Sequence, residues 1–155
     1  MILLLMLACS TPSAPPVEAA APAAPAAPAA LADALTVAAT GEPGGYQVSV
    51  TVRSPDLGCT QYADWWEIVG EDGTLLYRRL LNHSHPQEQP FTRDGGPVRI
   101  TADERVWVRV HMHPGGYGGE ALVGSIQSGF EVVVWPDGLG AGLEGAQPLP
   151  EKCLF

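Results

Sequence analysis

All four histidines of the sequence sit in two His-x-His pairs, His83-Ser84-His85 and His111-Met112-His113. Neutral imidazoles ligate Cu2+ and Zn2+, and residues i and i+2 of a strand share one face. On strands, each pair offers two imidazoles on one side. His83, His85, His111 and His113 therefore form a candidate copper or zinc site. Asp64 or Glu88 would supply an oxygen ligand, whereas Met112 alternates to the other face and is a poor ligand. A purely structural role competes with this reading. Histidines at strand ends cap backbone groups or stack on aromatics, and Pro86 and Pro114 directly follow the two pairs, as turn exits do.

Two loops beside these pairs carry a second candidate. Residues 83–97 (HSHPQEQPFTRDGGP) read as a long connection, and long loops in compact domains are often functional. Residues 114–119 (PGGYGG) can reach positive φ at their glycines, with Tyr117 as the one large side chain. Phe91, Arg93 and Tyr117, with Gln87, are candidates for a surface that recognises a peptide or a glycan. Glycines around an aromatic also serve simply as tight turns. Enzyme motifs are missing. Ser84 has no Gly-x-Ser-x-Gly elbow, and neither G-x-x-x-x-G-K nor a strand-to-helix G-x-G-x-x-G occurs. The neighbours Glu71–Asp72 and Asp103–Glu104 fall in expected turns as solvated charge. The arginines, scattered along strands, read as solvent-facing. The chain is expected not to be an enzyme.

The elements that must position these residues have period two. Tyr46, Val48, Val50 and Val52 alternate with polar residues, the pattern of a half-buried strand. Leu35, Val37 and Ala39 form a shorter strand before it. Further strands are expected at 62–69, 75–82, around Val98, Ile100 and Ala102, at 106–113, at 121–126 and at 130–135, with turn residues between them. The valines at 106, 108 and 110 put Trp107, Arg109, His111 and His113 on the face away from the core. Trp65 and Trp66 point to opposite faces, so at least one indole enters the core. Seven or eight short strands and no amphipathic helix predict an all-β sandwich. The order resembles an immunoglobulin-like or fibronectin type III-like sandwich. That likeness implies that strand 106–113 flanks 62–69 opposite 75–82. Both histidine pairs would then reach one pole, about two strand spacings or ~10 Å apart.

Composition bounds the partners. The chain has 155 residues, with 8 Lys+Arg against 17 Asp+Glu and a formal net charge of −9. Nucleic acid and anionic headgroups need a basic face and are not expected partners. No apolar run approaches the roughly 20 residues of a membrane helix.

The start MILLLMLACS resembles the lipobox of bacterial lipoproteins, an aliphatic run ending in a small residue and then Cys9. The resemblance implies removal of residues 1–8 as a signal peptide and lipid attachment to Cys9. Ser10, a residue other than Asp, implies outer-membrane delivery. Membrane contact through this lipid is the expected partner interaction, with an envelope protein, peptide or glycan as a second partner. Residues 9–30 are then the lipidated Cys and a Pro/Ala-rich tether, extended in the polyproline II manner. Residues 31–155 form the sandwich, with an irregular tail at 136–155. If Cys9 is lipidated, Cys59 and Cys153 remain and are expected to pair in an oxidising envelope. The alternative is two separate buried thiols. The reading is a non-catalytic, membrane-anchored envelope module, with copper or zinc binding as the competing function.

Overall fold

The structure, a computed structural model, describes residues 31–154. The expected signal peptide at 1–8, Cys9 and the expected tether up to residue 30 lie outside the described residues. Eight strands follow in chain order: β1 (Asp33–Thr40), β2 (Tyr46–Arg53), β3 (Tyr62–Gly70), β4 (Leu75–Leu80), β5 (Phe91–Val98), β6 (Val106–His113), β7 (Ala121–Ser125) and β8 (Gly129–Val133). They form two antiparallel sheets, β1-β2-β5 and β4-β3-β6-β7-β8, packed as an all-β sandwich. β3 lies between β4 and β6, the flanking expected from the sequence. Among the described residues no helix is long and apolar enough to cross a membrane.

Alternation decides which side chains enter the core. Val48, Val50 and Val52 of β2 face Trp66 and Ile68 of β3 and Val106, Val108 and Val110 of β6 between the sheets. Each large side chain buried there contributes roughly 1.5–3 kcal/mol relative to exposure. Trp66 is fully buried in this core, and Trp65 is buried on the opposite face of the same strand. All nine residues of β3 are buried. A strand with both faces covered needs a second layer on its outer side, and residues 134–154 supply it.

One strand lies elsewhere than its pattern suggests. The expected strand around 98–102 and the expected loop 83–97 are replaced by β5 at Phe91–Val98, running through Gly95, Gly96 and Pro97. β5 is an edge strand of its sheet, where a proline can sit without breaking a ladder. Gly95 fits for a packing reason. A Cβ there would lie 2.8 Å from the Tyr77 ring and 2.9 Å from the Trp66 ring, so the bare backbone makes room for two core aromatics. Gly119 has a similar role in the PGGYGG loop. A Cβ would collide with the Ala32 carbonyl, so its absence lets the first described residues cross beneath the loop.

After β8 the chain forms turns and one short 3-10 helix, Leu143–Gly145. Of residues 134–154 only Gly140 is buried. Cys153 is disulfide-bonded to Cys59 with 5.6 Å between Cα atoms, which returns the tail to the loop before β3. The Leu154 amide donates to the Asn82 carbonyl next to this bond.

Candidate functional site

The outer face of β3, β4 and β6 holds Asp64, Glu67, Arg78, Arg109 and His111, a cluster of buried charged and polar side chains. Register pairs Glu67 with Arg78 across β3–β4 and with Arg109 across β3–β6, so all three point to the same side. Glu67 is fully buried. Its Oε2 accepts from Arg78 Nε at 2.9 Å and Nη2 at 2.6 Å, and its Oε1 accepts from Arg109 Nε at 2.7 Å. The Tyr117 hydroxyl donates to the same Oε1 at 3.0 Å and accepts from Trp65 Nε1 at 3.1 Å. Burial and the neighbouring Glu67 carboxylate raise the Tyr117 phenol well above its usual range. Tyr117 therefore stays protonated and a donor. The Arg109 guanidinium lies 3.7 Å from the Tyr117 ring and 4.2 Å from the Trp135 ring, while Arg78 lies 4.6 Å from the Trp65 ring.

His111 belongs to this layer. It stacks on Trp65 with ring centroids 3.7 Å apart and meets Tyr117 edge-on at 4.8 Å. The ladder shifts register between Ala63 and Trp65, and Asp64 lies at the irregularity. Bulges of this kind re-aim side chains. Asp64 Oδ1 stands 2.6 Å from His111 Nδ1, and Glu144 of the tail stands 3.3 Å from Nε2. Both ring nitrogens face carboxylates.

The tail lies across this layer and is read through its backbone. Arg78 donates to the carbonyls of Leu143, Ala146 and Pro148, and Arg109 Nη2 lies 3.5 Å from the Gly140 carbonyl. Two clefts open along the tail, each walled in part by tail residues. One of about 410 Å³ lies between Asp64, His111, His113 and Glu144, ending at the disulfide. Another of about 430 Å³ is lined by Arg109, Tyr117, Trp135 and Glu144.

The two histidine pairs are kept apart. His85 packs on the core residue Phe91, ring centroids 4.0 Å apart, while His111 lies on the outer face of the other sheet. His85 is buried, and His83 beside it and His113 are exposed. The His85 amide donates to Asp56 Oδ2 at 2.7 Å, and Asp56 Oδ1 accepts from the Ala63 amide at 3.0 Å, pinning one loop to the other. Burial, then the charges of Arg93 and His83, lower the His85 pKa. Among the described residues no three His, Cys, Asp or Glu side chains gather as a metal-holding group. Of the two suggested oxygen donors, Glu88 is paired with Arg93 at 2.8 Å and Asp64 with His111 at 2.6 Å. The geometry gives these histidines aromatic contacts; among the described residues only the His111 ring makes side-chain hydrogen bonds, and both buried ring nitrogens of His85 are without a partner.

The proposed recognition surface is likewise divided. Phe91 points inward from β5 and is 2% exposed, because β5 is a strand rather than a loop. Arg93 lies over the Phe91 ring at 5.2 Å. Tyr117 serves the Glu67 network on the far side of the sandwich. The expectation of solvent-facing arginines fails at Arg78 and Arg109, both buried under the tail. It missed Glu67 as well. The signal was present: folding the 62–80 hairpin about Gly70–Gly73 sets Glu67 opposite Arg78. The turn carboxylates behave as expected, Asp72 accepting from Thr74 and Asp103 from Thr101.

No protein-family model matches the chain, and no solved structure matches it. A protein named "Putative lipoprotein" from Halomicrobium mukohataei is 37% identical over 102 residues, which are 64% of this chain and 50% of that protein. The chain spans about half the length of this curated relative.

Proposed function

We propose that the protein is a lipid-anchored envelope lipoprotein whose sandwich serves as a non-catalytic binding or structural module. The observation that carries this is the joint pattern of its three cysteines. Cys9 ends an aliphatic run, and the other two form the Cys59–Cys153 bond. A structural disulfide suits an oxidising compartment outside the cytoplasm. The likeness to a relative named as a lipoprotein supports the same placement. Ser10 favours delivery to an outer membrane. The fibronectin type III-like strand order favours a scaffold role, since such sandwiches host binding surfaces of many kinds. The non-catalytic reading rests on the outer-face cluster, where Glu67 is neutralised by two arginines and His111 is held between two carboxylates.

Detergent-phase partitioning of membranes from cells making the full chain tests the anchor. The wild-type protein should enter the detergent phase, and Cys9→Ser should leave it for the aqueous phase. Equal partitioning of the two into the aqueous phase would overturn the reading.

A further inference from the structure

The outer layer has an unusual division of labour. The sheet contributes buried, geometrically fixed donors, and the tail contributes main-chain acceptors. Arg78 alone takes the carbonyls of Leu143, Ala146 and Pro148 while its other edge is held by Glu67. Trp65 and Tyr117 form the aromatic floor beside it. The tail residues that cross here are rich in Gly, Ala and Pro, and none of them puts a large side chain into the core. The amides they bond are their own, in turns: Leu139 to Pro136, Ala141 to Gly138, Leu143 to Gly140 and Ala146 to Leu143. The far end is fixed by the disulfide and by the Leu154 amide on the Asn82 carbonyl. This is how a bound peptide sits in a groove, except that the peptide is covalently part of the protein.

We infer that the outer face of β3, β4 and β6 is a groove that reads the main-chain carbonyls of a turn-forming, Gly/Pro-rich segment through Arg78 and Arg109. Residues 136–150 are its resident occupant, and the Cys59–Cys153 bond is the latch. Two features favour this occupant. Arg78 and Arg109 keep donors beyond those that Glu67 takes, and carbonyl oxygens satisfy them without bringing another charge into a layer that already holds the Glu67 and Asp64 carboxylates. Glycine suits the crossing, because a Cβ on Gly140 would lie 3.3 Å from Arg109 Nη2 and its φ of +63° is one that glycine favours.

Unlatching is a thiol–disulfide exchange with a dithiol reductant. One reductant thiolate attacks a sulfur of the bond and forms a mixed disulfide, releasing the other cysteine as a thiolate that takes up a proton. The second reductant thiol then displaces the remaining cysteine. The dithiol ends as a disulfide, and Cys59 and Cys153 end as two thiols. The freed tail still competes for its groove from a high local concentration, so exchange is reversible.

This inference deepens the binding-module reading and rests on it, but not on the lipid anchor. The test uses the full chain carrying Cys9→Ser, which removes the third thiol and the anchor together. Hydrogen exchange is followed with and without dithiothreitol, and a labelled synthetic peptide of residues 136–150 is titrated into both forms. Reduction should speed exchange at the Leu143, Ala146 and Leu154 amides at least tenfold while β3 and β6 amides stay protected. The peptide should bind the reduced form at least tenfold more tightly than the oxidised form. Cys59→Ser with Cys153→Ser should behave like the reduced protein, and Arg78→Gln in that background should abolish peptide binding. Unchanged tail exchange on reduction overturns the latch. Loss of β3 protection together with the tail overturns the groove, because the tail would then be part of the fold. Equal peptide binding in both forms overturns the occupancy. Partitioning to the membrane is unaffected by any of these outcomes, so a failed groove leaves the anchor standing and a failed anchor leaves the groove standing.

Discussion

Replacing Glu67 by Gln is the sharpest single perturbation of this molecule. The change keeps the shape of the side chain and removes its charge. Glu67 is fully buried and accepts four bonds, two from Arg78, one from Arg109 and one from Tyr117. An amide nitrogen in place of either oxygen points donors at a guanidinium or at a hydroxyl that must itself donate. Both guanidiniums lose their carboxylate. Removing one partner of a buried ion pair costs about 3–5 kcal/mol, most of it the desolvated charge left behind. Arg78 retains its three backbone carbonyls, which puts Glu67→Gln at the lower end, about 3 kcal/mol. At roughly 3–6 °C per kcal/mol for a domain of this size, the melting temperature should fall by about 10–18 °C. The assay is urea and thermal unfolding of the oxidised chain followed by tryptophan fluorescence, with Glu88→Gln as control. The Glu88–Arg93 pair is 2.8 Å long, but the Glu88 side chain is 60% exposed and screened by water, so its loss should leave the unfolding midpoints nearly unchanged. A Glu67→Gln loss no larger than that of Glu88→Gln would refute the argument, because it would mean that water already reaches the Glu67 carboxylate.

Three other outcomes follow from the same geometry. Cys59→Ser with Cys153→Ser opens a loop closed over a sequence separation of 94 and should lower the unfolding free energy by up to about 4–5 kcal/mol in the chain-entropy treatment, read from urea midpoints in matched buffers. Gly95→Ala should cost about 1–3 kcal/mol through overpacking against Tyr77 and Trp66, and unfolding at equilibrium would contradict this if the variant matched wild type. His85 has a folded-state pKa lowered by burial and by the Arg93 and His83 charges, so the unfolded chain takes up its proton first. Its contribution is complete above about pH 6.5 and is lost as the pH falls below that value, so His85→Phe should flatten the decline in urea midpoint between pH 7 and pH 5.

Much of the fold was legible because period-two alternation is a local signal. Tyr46–Arg53 and Val106–His113 follow it and form strands at the expected bounds. β5 was hidden because its sequence, FTRDGGPV, carries glycines that make room for Trp66 and Tyr77 and a proline tolerated at an edge. Those reasons lie in other strands and cannot be read locally. The cysteine pairing was legible by counting. The outer-face cluster was only half legible. Register places Glu67 opposite Arg78, but burying an ion triad requires a cover, and the cover is a tail without periodicity. The placement of the histidines was not legible for the converse reason. The i, i+2 spacing puts His111 and His113 on one side of β6, but His83 and His85 lie in the loop after β4, where His85 turns toward Phe91 at the core while His111 faces Trp65 on the outer layer.

The claim on which the functional account stands is that Cys9 becomes a lipidated amino terminus. Mass spectrometry of the amino-terminal peptide, from protein made in a host that processes lipoproteins, measures this directly. The account predicts a peptide that begins at Cys9 and carries a diacylglyceryl thioether with an added N-acyl chain. A peptide that retains residues 1–8 and an unmodified Cys9 thiol would contradict it.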